Sequence, residues 1–251
     1  MDAAKLHTIL NQLLAPEMCH DYCPNGLQVE GVGDIEKIVT GVTASEALID
    51  KAIELQANAV LVHHGYFWKS ESPVISGMKR RRIKKLLDHN LSLFAYHLPL
   101  DVHDTLGNNM QLAQVLKIQN ARPMPQSKPN GIVWQGELTE PMSGSQLKAH
   151  IETCLARVPT HVAASKESIK SIAWCTGGGQ HYIDFAAQFD IDAFISGEIS
   201  EQTTHSAVEQ NIHYFAAGHH ASERYGVKAV GEYLRDRHGL DVSFVDLFNP
   251  A

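Results

Sequence analysis

Long apolar runs are absent from this sequence of 251 residues. A membrane-spanning helix needs about 20 consecutive apolar residues, so the composition excludes a transmembrane protein. The opening residues, MDAAKLHTIL, also lack the basic region, apolar core and small-residue cleavage site of a secretory signal. These two absences lead us to expect a cytoplasmic protein with no membrane partner.

Cysteine is scarce, with four residues at positions 19, 23, 154 and 175. They are too few and too scattered for a disulfide framework. Cys19 and Cys23 have a spacing that could serve half of a zinc site, but no second Cys/His pair lies close by in the sequence. Buried or unreactive thiols are the favoured interpretation.

An overall basic excess is also absent, because the formal net charge is -7. Proteins that bind duplex nucleic acid usually neutralise phosphates with such an excess, so nucleic acid is not the expected partner. The local exception is the basic segment Lys79–Lys85, with six basic residues in seven. It is interpreted as the solvated face of a helix that turns Ile83, Leu86 and Leu87 inward, the alternative being a phosphate or partner contact.

Short β-branched runs alternate with amphipathic segments along the chain. This pattern predicts an α/β fold with mostly parallel sheets flanked by helices. Residues 120–130 hold three prolines and little apolar material, which is typical of a linker. We therefore predict two α/β lobes, residues 1–125 and 126–251, with a metal site between them.

The two halves resemble divergent copies of each other. A shift of 134 residues places Ile38 on Ile172 and Ala59 on Ala193, and a shift of 122 superposes two His-x3-acid elements. The identities are few, so the sequence indicates a possible internal duplication.

Histidine is abundant, with 15 residues, and three predicted strands end in metal-binding residue types. In open α/β sheets the carboxyl ends of the strands form the ligand-binding edge, so these side chains could converge. The candidate ligands are His63, His64, His97, Asp101, His219 and Glu223. The alternative is that they are ordinary histidines satisfied by hydrogen bonds.

The spacing of these residues bears on how they would bind. His219 and Glu223 share a helix face if a helix starts at His219, whereas Pro99 argues for a turn after His97. Adjacent His63 and His64 point to opposite sides of a strand, which suits two metal ions better than one. Imidazole with carboxylate favours zinc, iron, manganese, cobalt or nickel without deciding among them.

Three further features lie near the predicted strand ends. Glu198 is a candidate catalytic acid or water-orienting residue. The glycines 177–179 could form a phosphate cradle or a tight turn. Tyr66–Trp68 could stack on a planar base or pack an interface.

Seven segments together resemble the bacterial GTP cyclohydrolase 1 type 2 homologues, also called NGG-interacting-factor-three-like proteins. The segments are Pro24–Val29, Gly41–Ala44, Val62–Gly65, His97–Asp101, Gly107–Asn109, Ser196–Glu198 and Gly218–Glu223. The resemblance runs from about residue 20 to the C-terminus and matches the short form of the family, without its inserted domain.

The resemblance implies a dinuclear metal centre with two divalent ions per subunit. His63, His64, Asp101, His219 and Glu223 match its ligands, with Glu223 as the bridge and His97 as the less secure sixth. It also implies interlinked lobes and a toroidal homohexamer whose metal sites face the central cavity. The function we infer is metal-dependent hydrolysis of a small nucleotide-like substrate. The alternative is a non-enzymatic metal-binding scaffold or metal chaperone that acts through protein partners.

Overall fold

The computed structural model describes residues 1–251, whose contacts group into two compact units. Unit 1 comprises Met1–Leu100 and Gly226–Phe248, and unit 2 comprises Asp101–Tyr225 and Asn249–Ala251. Each unit contains one sheet with accompanying helices, which confirms the predicted α/β class. None of the helices combines the length and the apolar character that a membrane crossing requires.

Unit 1 contains a five-stranded sheet in the order β1-β4-β3-β2-β11. The elements from the N-terminus are α1 (Ala3–Leu14), β1 (Gly26–Val29), β2 (Lys37–Thr43), α2 (Glu46–Glu54), β3 (Ala59–His64), α3 (Gly77–Asp88) and β4 (Ser92–Ala95), and the sheet is completed by β11 (Asp241–Phe244). Only the edge strand β1 runs antiparallel to its neighbour. The first sheet is therefore mostly parallel, as the sequence predicted.

Unit 2 contains a six-stranded sheet in the order β5-β6-β8-β9-β10-β7. The remaining α-helices and strands of the chain are α4 (Leu98–Val102), α5 (Asn108–Val115), β5 (Gln119–Pro123), β6 (Trp134–Met142), α6 (Gly144–Leu155), β7 (Thr160–Val162), β8 (Ile169–Cys175), α7 (Ile183–Ala186), β9 (Ala193–Ser196), α8 (Glu201–Glu209), β10 (His213–Ala216) and α9 (His219–His238). Helices α4 and α9 each include residues of both units. Here only the central strands β8, β9 and β10 run parallel, and the outer strands pair antiparallel.

The parallel strands form where the sequence is continuously apolar, because both faces of such strands are covered. Strand β3 reads AVLVHH, and its first five residues are buried. Val39, Val60 and Leu93 of three neighbouring strands lie in one core with Leu86 of α3. This packing fixes the end of β3, where His63 and His64 lie.

The internal repeat is visible in the strand pairing of each sheet. Both sheets contain a triple of parallel strands, β2-β3-β4 and β8-β9-β10. Ile38 pairs with Ala59 in the first triple, and Ile172 pairs with Ala193 in the second. These are the residues that the shift of 134 superposes, so the pairing register supports the predicted duplication.

The proline-rich segment 120–130 is not a simple linker. Its first residues belong to β5, which pairs with β6 in the sheet of unit 2. The predicted division into lobes 1–125 and 126–251 remains a prediction. The contacts group the residues differently, because Leu112 and Leu116 pack in the core of unit 2 while β11 pairs with β2 in unit 1.

Asp192, just before β9, forms hydrogen bonds with the backbone at the start of strand β8. Its carboxylate accepts hydrogen bonds from the backbone N–H groups of Lys170 and Ser171, each at 2.9 Å, and from Lys166 Nζ at 2.9 Å. Burial by itself raises the pKa of Asp192, but the bonds from Lys166, Ser171 and Lys170 outweigh it and lower the pKa to about 2.

Asp192→Asn is expected to lower the free energy of unfolding by about 2 kcal/mol near neutral pH. A depressed carboxyl pKa stabilises the fold above the unfolded value of about 4 and loses its effect as the pH falls through about 2. The difference in free energy of unfolding between wild type and variant should therefore become smaller in acid. Urea unfolding at several pH values measures it, with the exposed neighbour variant Asp190→Asn as control. An equal gap at all pH values would contradict the assignment.

Candidate metal centre

Three imidazoles lie together at the carboxyl ends of β3 and β4 in unit 1. His63 and His64 are the last two residues of β3, and His97 follows β4. The ligand atoms of all three lie within 4.8 Å of one another. His63 and His97 are buried and His64 is half-buried. We call this group the imidazole cluster.

Each imidazole is oriented by a hydrogen bond at Nδ1. His63 Nδ1 donates to the carbonyl oxygen of Tyr96 at 3.0 Å, and His64 Nδ1 contacts Thr43 Oγ1 at 3.3 Å. A carbonyl can only accept, so neutral His63 carries its proton on Nδ1 and presents the lone pair of Nε2. In metalloproteins, a hydrogen bond at the ring nitrogen that does not bind the metal fixes the tautomer of the histidine ligand.

His97 is oriented by a carboxylate that no sequence pattern indicates. His97 Nδ1 lies 3.0 Å from Asp21 Oδ1, and the backbone N–H of Leu98 donates to the other oxygen at 2.9 Å. Burial alone raises the pKa of Asp21, but His97, Asn25 and Leu98 outweigh it and lower the pKa to about 2. Asp21 is therefore ionised and holds the His97 ring in place.

Cys23, a half-buried cysteine outside any disulfide, also lies beside this group. Its sulfur and the ligand atoms of Asp21 and His97 lie within 4.8 Å of one another. No local pattern distinguishes Cys23, because His97 lies in a distant part of the sequence although Asp21 is only two positions away.

A second group, the carboxylate cluster, lies in unit 2 and consists of Asp101, His219 and Glu223. Asp101 is on α4, a short helix that starts at Leu98 and includes Pro99. The prediction of a turn instead of a helix there was wrong, because proline is tolerated in the first turn, where its missing N–H is not needed. Asp101 is 4% exposed and accepts hydrogen bonds from Asn108 Nδ2 at 2.8 Å and Thr176 Oγ1 at 3.4 Å.

Helix α9 starts at His219. His219 and Glu223 therefore lie on one face of this helix, as expected if a helix began at His219. His219 Nε2 lies 3.0 Å from Glu223 Oε2, and Nδ1 lies 2.7 Å from Glu198 Oε1. Burial lowers the pKa of His219, but the bonds and charges of Glu223 and Glu198 outweigh it and raise the pKa to about 9. Without a metal ion this imidazole is the counter-charge of both acids.

The glycine turn after β8 packs against the carboxylate cluster instead of forming an open cradle. The Gly177 N–H donates to Ser222 Oγ at 3.0 Å, so that amide is already engaged. Gly177 has φ 60, and a Cβ there would lie 1.8 Å from Glu223 Oε1. The favoured alternative is therefore the tight turn, whose glycine leaves room for the Glu223 carboxylate.

The donor set of the two clusters fits divalent metal ions. The ligand oxygens of Asp101 and Glu223 lie within 4.8 Å of one another although both residues are buried. Burial and then the charges of Asp101 and Glu223 raise the pKa of the neighbouring Cys175 thiol. Buried carboxylates this close repel each other, and proteins offset such repulsion with pairing or a cation.

The basic segment Lys79–Lys85 lies on α3, as predicted, and most of its charges are paired. Arg81 and Lys85 contact Glu46, at 3.7 and 3.0 Å. Ile83 and Leu86 are buried as expected, but Leu87 is 54% exposed, so its predicted inward orientation was wrong.

The whole chain matches a known protein family. The model of the Duf34/NIF3 family, described as NGG1p interacting factor 3, matches residues 1–250. A curated relative from Vibrio cholerae, named GTP cyclohydrolase 1 type 2 homolog, is 54% identical over 253 residues and covers 100% of both chains. A relative of the same name from Escherichia coli is 53% identical over 252 residues, again with 100% of both chains covered.

Solved structures repeat the fold over its full length. One described as protein ybgI, of unknown function, superposes with a TM-score of 0.96 at 52% identity and covers 100% of both chains. TTHA1606 from Thermus thermophilus gives a TM-score of 0.90 at 29% identity, with 100% of both chains covered.

Proposed function

Because this chain belongs to the Duf34/NIF3 family, we propose that it is a dinuclear metalloprotein that hydrolyses a small, nucleotide-like substrate. The observation that supports this most is the pairing of two buried carboxylates, Asp101 and Glu223, with donors suited to first-row metals. The names of the curated relatives agree with a nucleotide-like substrate.

The residues that would hold the metal are His63, His64, Asp101, His219 and Glu223, with His97 as a less secure sixth. Divalent ions held there would supply Lewis acidity for the hydrolysis. The ions are two per subunit, and the candidates are zinc, iron, manganese, cobalt and nickel. The chain itself fixes the ring orientations, through the bonds at Nδ1 of His63 and His97.

Glu198 has a separate part in the proposal. One of its oxygens accepts from His219 Nδ1 at 2.7 Å, which holds that ring with Nε2 toward Glu223. Its side chain is 46% exposed, so it can exchange protons with solvent. We assign it the transfer of a proton to or from the substrate.

His64→Ala is expected to weaken metal binding at least about tenfold, because it removes a proposed ligand and even changes next to ligands cost about 10- to 100-fold. Cobalt is a suitable probe, since its visible absorption reports ligand number and its content can be measured by elemental analysis. His89→Ala, at an exposed helix end, is the matched control and should bind like wild type. Unchanged cobalt affinity and spectrum in His64→Ala would refute its assignment as a ligand.

Hydrolysis is tested by incubating the metal-loaded protein with GTP, GMP and model phosphoesters. Release of formate would identify ring opening, and release of phosphate would identify phosphoester cleavage. Turnover by wild type that is lost in His64→Ala supports the hydrolase. Full metal content without turnover of any compound would favour the metal-binding scaffold instead.

The proposal includes a toroidal homohexamer whose metal sites face its central cavity. Light scattering of the purified protein tests the mass directly. A monomer at micromolar concentration would contradict the assembly without affecting the metal assignment.

A further inference from the structure

Two aromatic side chains of unit 1 lie against the imidazole cluster. The ring centroid of Trp68 is 4.9 Å from that of His97, and that of Tyr22 is 5.0 Å from it. Both rings stand steeply to the imidazole plane, at 85° and 73°. Trp68 also lies 6.0 Å from the His64 ring, and the Tyr22 and Trp68 centroids are 5.8 Å apart. We call Tyr22 and Trp68 the aromatic pair.

The aromatic pair is held in place although neither ring is buried. Tyr22 is 51% exposed and Trp68 is partly exposed. The indole Nε1 of Trp68 donates to the carbonyl oxygen of Gly65 at 3.2 Å. The backbone N–H of Lys69 donates to the carbonyl oxygen of Tyr22 at 2.8 Å, which joins the two loops. Two neighbouring rings that are held in place and partly exposed offer an apolar surface that a flat ligand ring could cover.

The loop that carries Trp68 also stores backbone strain. Phe67 has φ 67, a left-handed conformation that costs a bulky residue free energy. Its N–H donates to Glu71 Oε2 at 3.0 Å, and Glu71 Oε2 lies 3.2 Å from Lys79 Nζ. The Lys79 ammonium group lies 4.8 Å from the centre of the Phe67 ring and donates to the carbonyl oxygen of Ser72. One buried residue of the basic segment thus holds this loop.

We infer that the aromatic pair stacks on a planar heteroaromatic ring of the ligand, beside the imidazole cluster. Aromatic side chains bind bases through their faces whatever the base, and a purine has the size and flatness that two neighbouring rings accommodate. The inference rests on the proposed function for the position of the reacting centre, and it narrows the substrate class to compounds with such a ring.

Tryptophan fluorescence gives a direct test without turnover. The chain has three tryptophans, and Trp134 and Trp174 are only 3% and 0% exposed. Quenching by an added ligand therefore reports on Trp68. GMP should quench the emission saturably when excitation is at the red edge of the indole band, and ribose 5-phosphate, which lacks the ring, should not. Equal effects of the two compounds, or no saturable quenching by GMP, would overturn the inference.

Variants separate stacking from folding. Tyr22→Ala should raise the Kd for GMP roughly tenfold, read by the Trp68 fluorescence that it retains. Equilibrium dialysis should show a similar loss for Trp68→Ala and near-normal binding for Trp68→Phe, which keeps a ring. Tyr182→Ala, at a tyrosine of unit 2, is the control and should bind GMP normally. Normal GMP affinity in both Tyr22→Ala and Trp68→Ala would refute the stacking.

The metal content of the same samples distinguishes this inference from the proposed function. Bound metal with no ring-dependent binding of GMP would overturn the stacking and leave the metal centre. Ring-dependent binding of GMP by a protein that takes up no metal would support the aromatic pair and refute the metalloprotein.

Discussion

Gly177→Ala is expected to weaken metal binding about a hundredfold, the upper end of the effect of changes next to metal ligands. The new Cβ would lie 1.8 Å from Glu223 Oε1 and 3.1 Å from His219 Nε2. The Gly177 backbone cannot move aside easily, because its N–H donates to Ser222 and its carbonyl oxygen accepts from Gly197 N–H at 2.9 Å. The Glu223 carboxylate must therefore leave its position.

Folding should suffer less than metal binding in Gly177→Ala. The left-handed conformation costs alanine about 1–2 kcal/mol, and the displaced carboxylate can rotate. Gly178→Ala is the matched control, since a Cβ there meets no atom closer than 3.9 Å. Cobalt titration and urea unfolding of both variants measure the two effects. Wild-type metal affinity in a folded Gly177→Ala would show that Glu223 is not a ligand.

The sequence predicted the candidate ligands whose position follows from local patterns. His63 and His64 end an apolar run, and a run of that kind becomes a buried parallel strand with a defined carboxyl end. His219 and Glu223 have the spacing of one helix face, and α9 starts where that spacing requires. The misplaced turn at Pro99 has a local cause as well, because proline disfavours a helix interior but not its first turn.

The groups that orient the imidazoles could not be predicted in the same way. Asp21 lies 76 positions before His97, in a loop with no periodic pattern. Thr43 reaches His64 because β2 and β3 pair in parallel register, with Thr43 opposite His64. Such contacts depend on strand order and register, which hydrophobic periodicity does not determine.

The internal repeat explains why a histidine follows the third strand in each triple. It does not extend to the carboxylates that orient these two histidines. His97 and His219 both follow the third strand of a parallel triple, and both are held by a carboxylate at Nδ1. The carboxylate comes from Asp21, before β1, in one case and from Glu198, after β9, in the other. A superposition of the two halves therefore identifies the histidines and misses Asp21.

Asp101→Asn is expected to be more stable than wild type without metal and less stable than wild type with metal. Asp101 and Glu223 are buried with oxygens within 4.8 Å, a repulsion on the order of 3 kcal/mol at an effective dielectric constant of about 20. Protonated His219 offsets part of it. The asparagine oxygen can still accept from Asn108 and Thr176, so the metal-free variant should gain about 1 kcal/mol over wild type.

With metal bound, wild type should be more stable than Asp101→Asn. An ion present at about 1,000 times its Kd stabilises the folded state by about 4 kcal/mol, and a hundredfold weaker affinity leaves only about 1.4 kcal/mol. Asp101→Asn should then be less stable than wild type by about 1–2 kcal/mol. Urea unfolding with chelator and with cobalt measures both, and Asp104→Asn, 86% exposed on the same segment, should follow wild type. If Asp101→Asn were less stable than wild type in chelator too, the carboxylates would not be held together against their repulsion, and the case for a cation between them would fail.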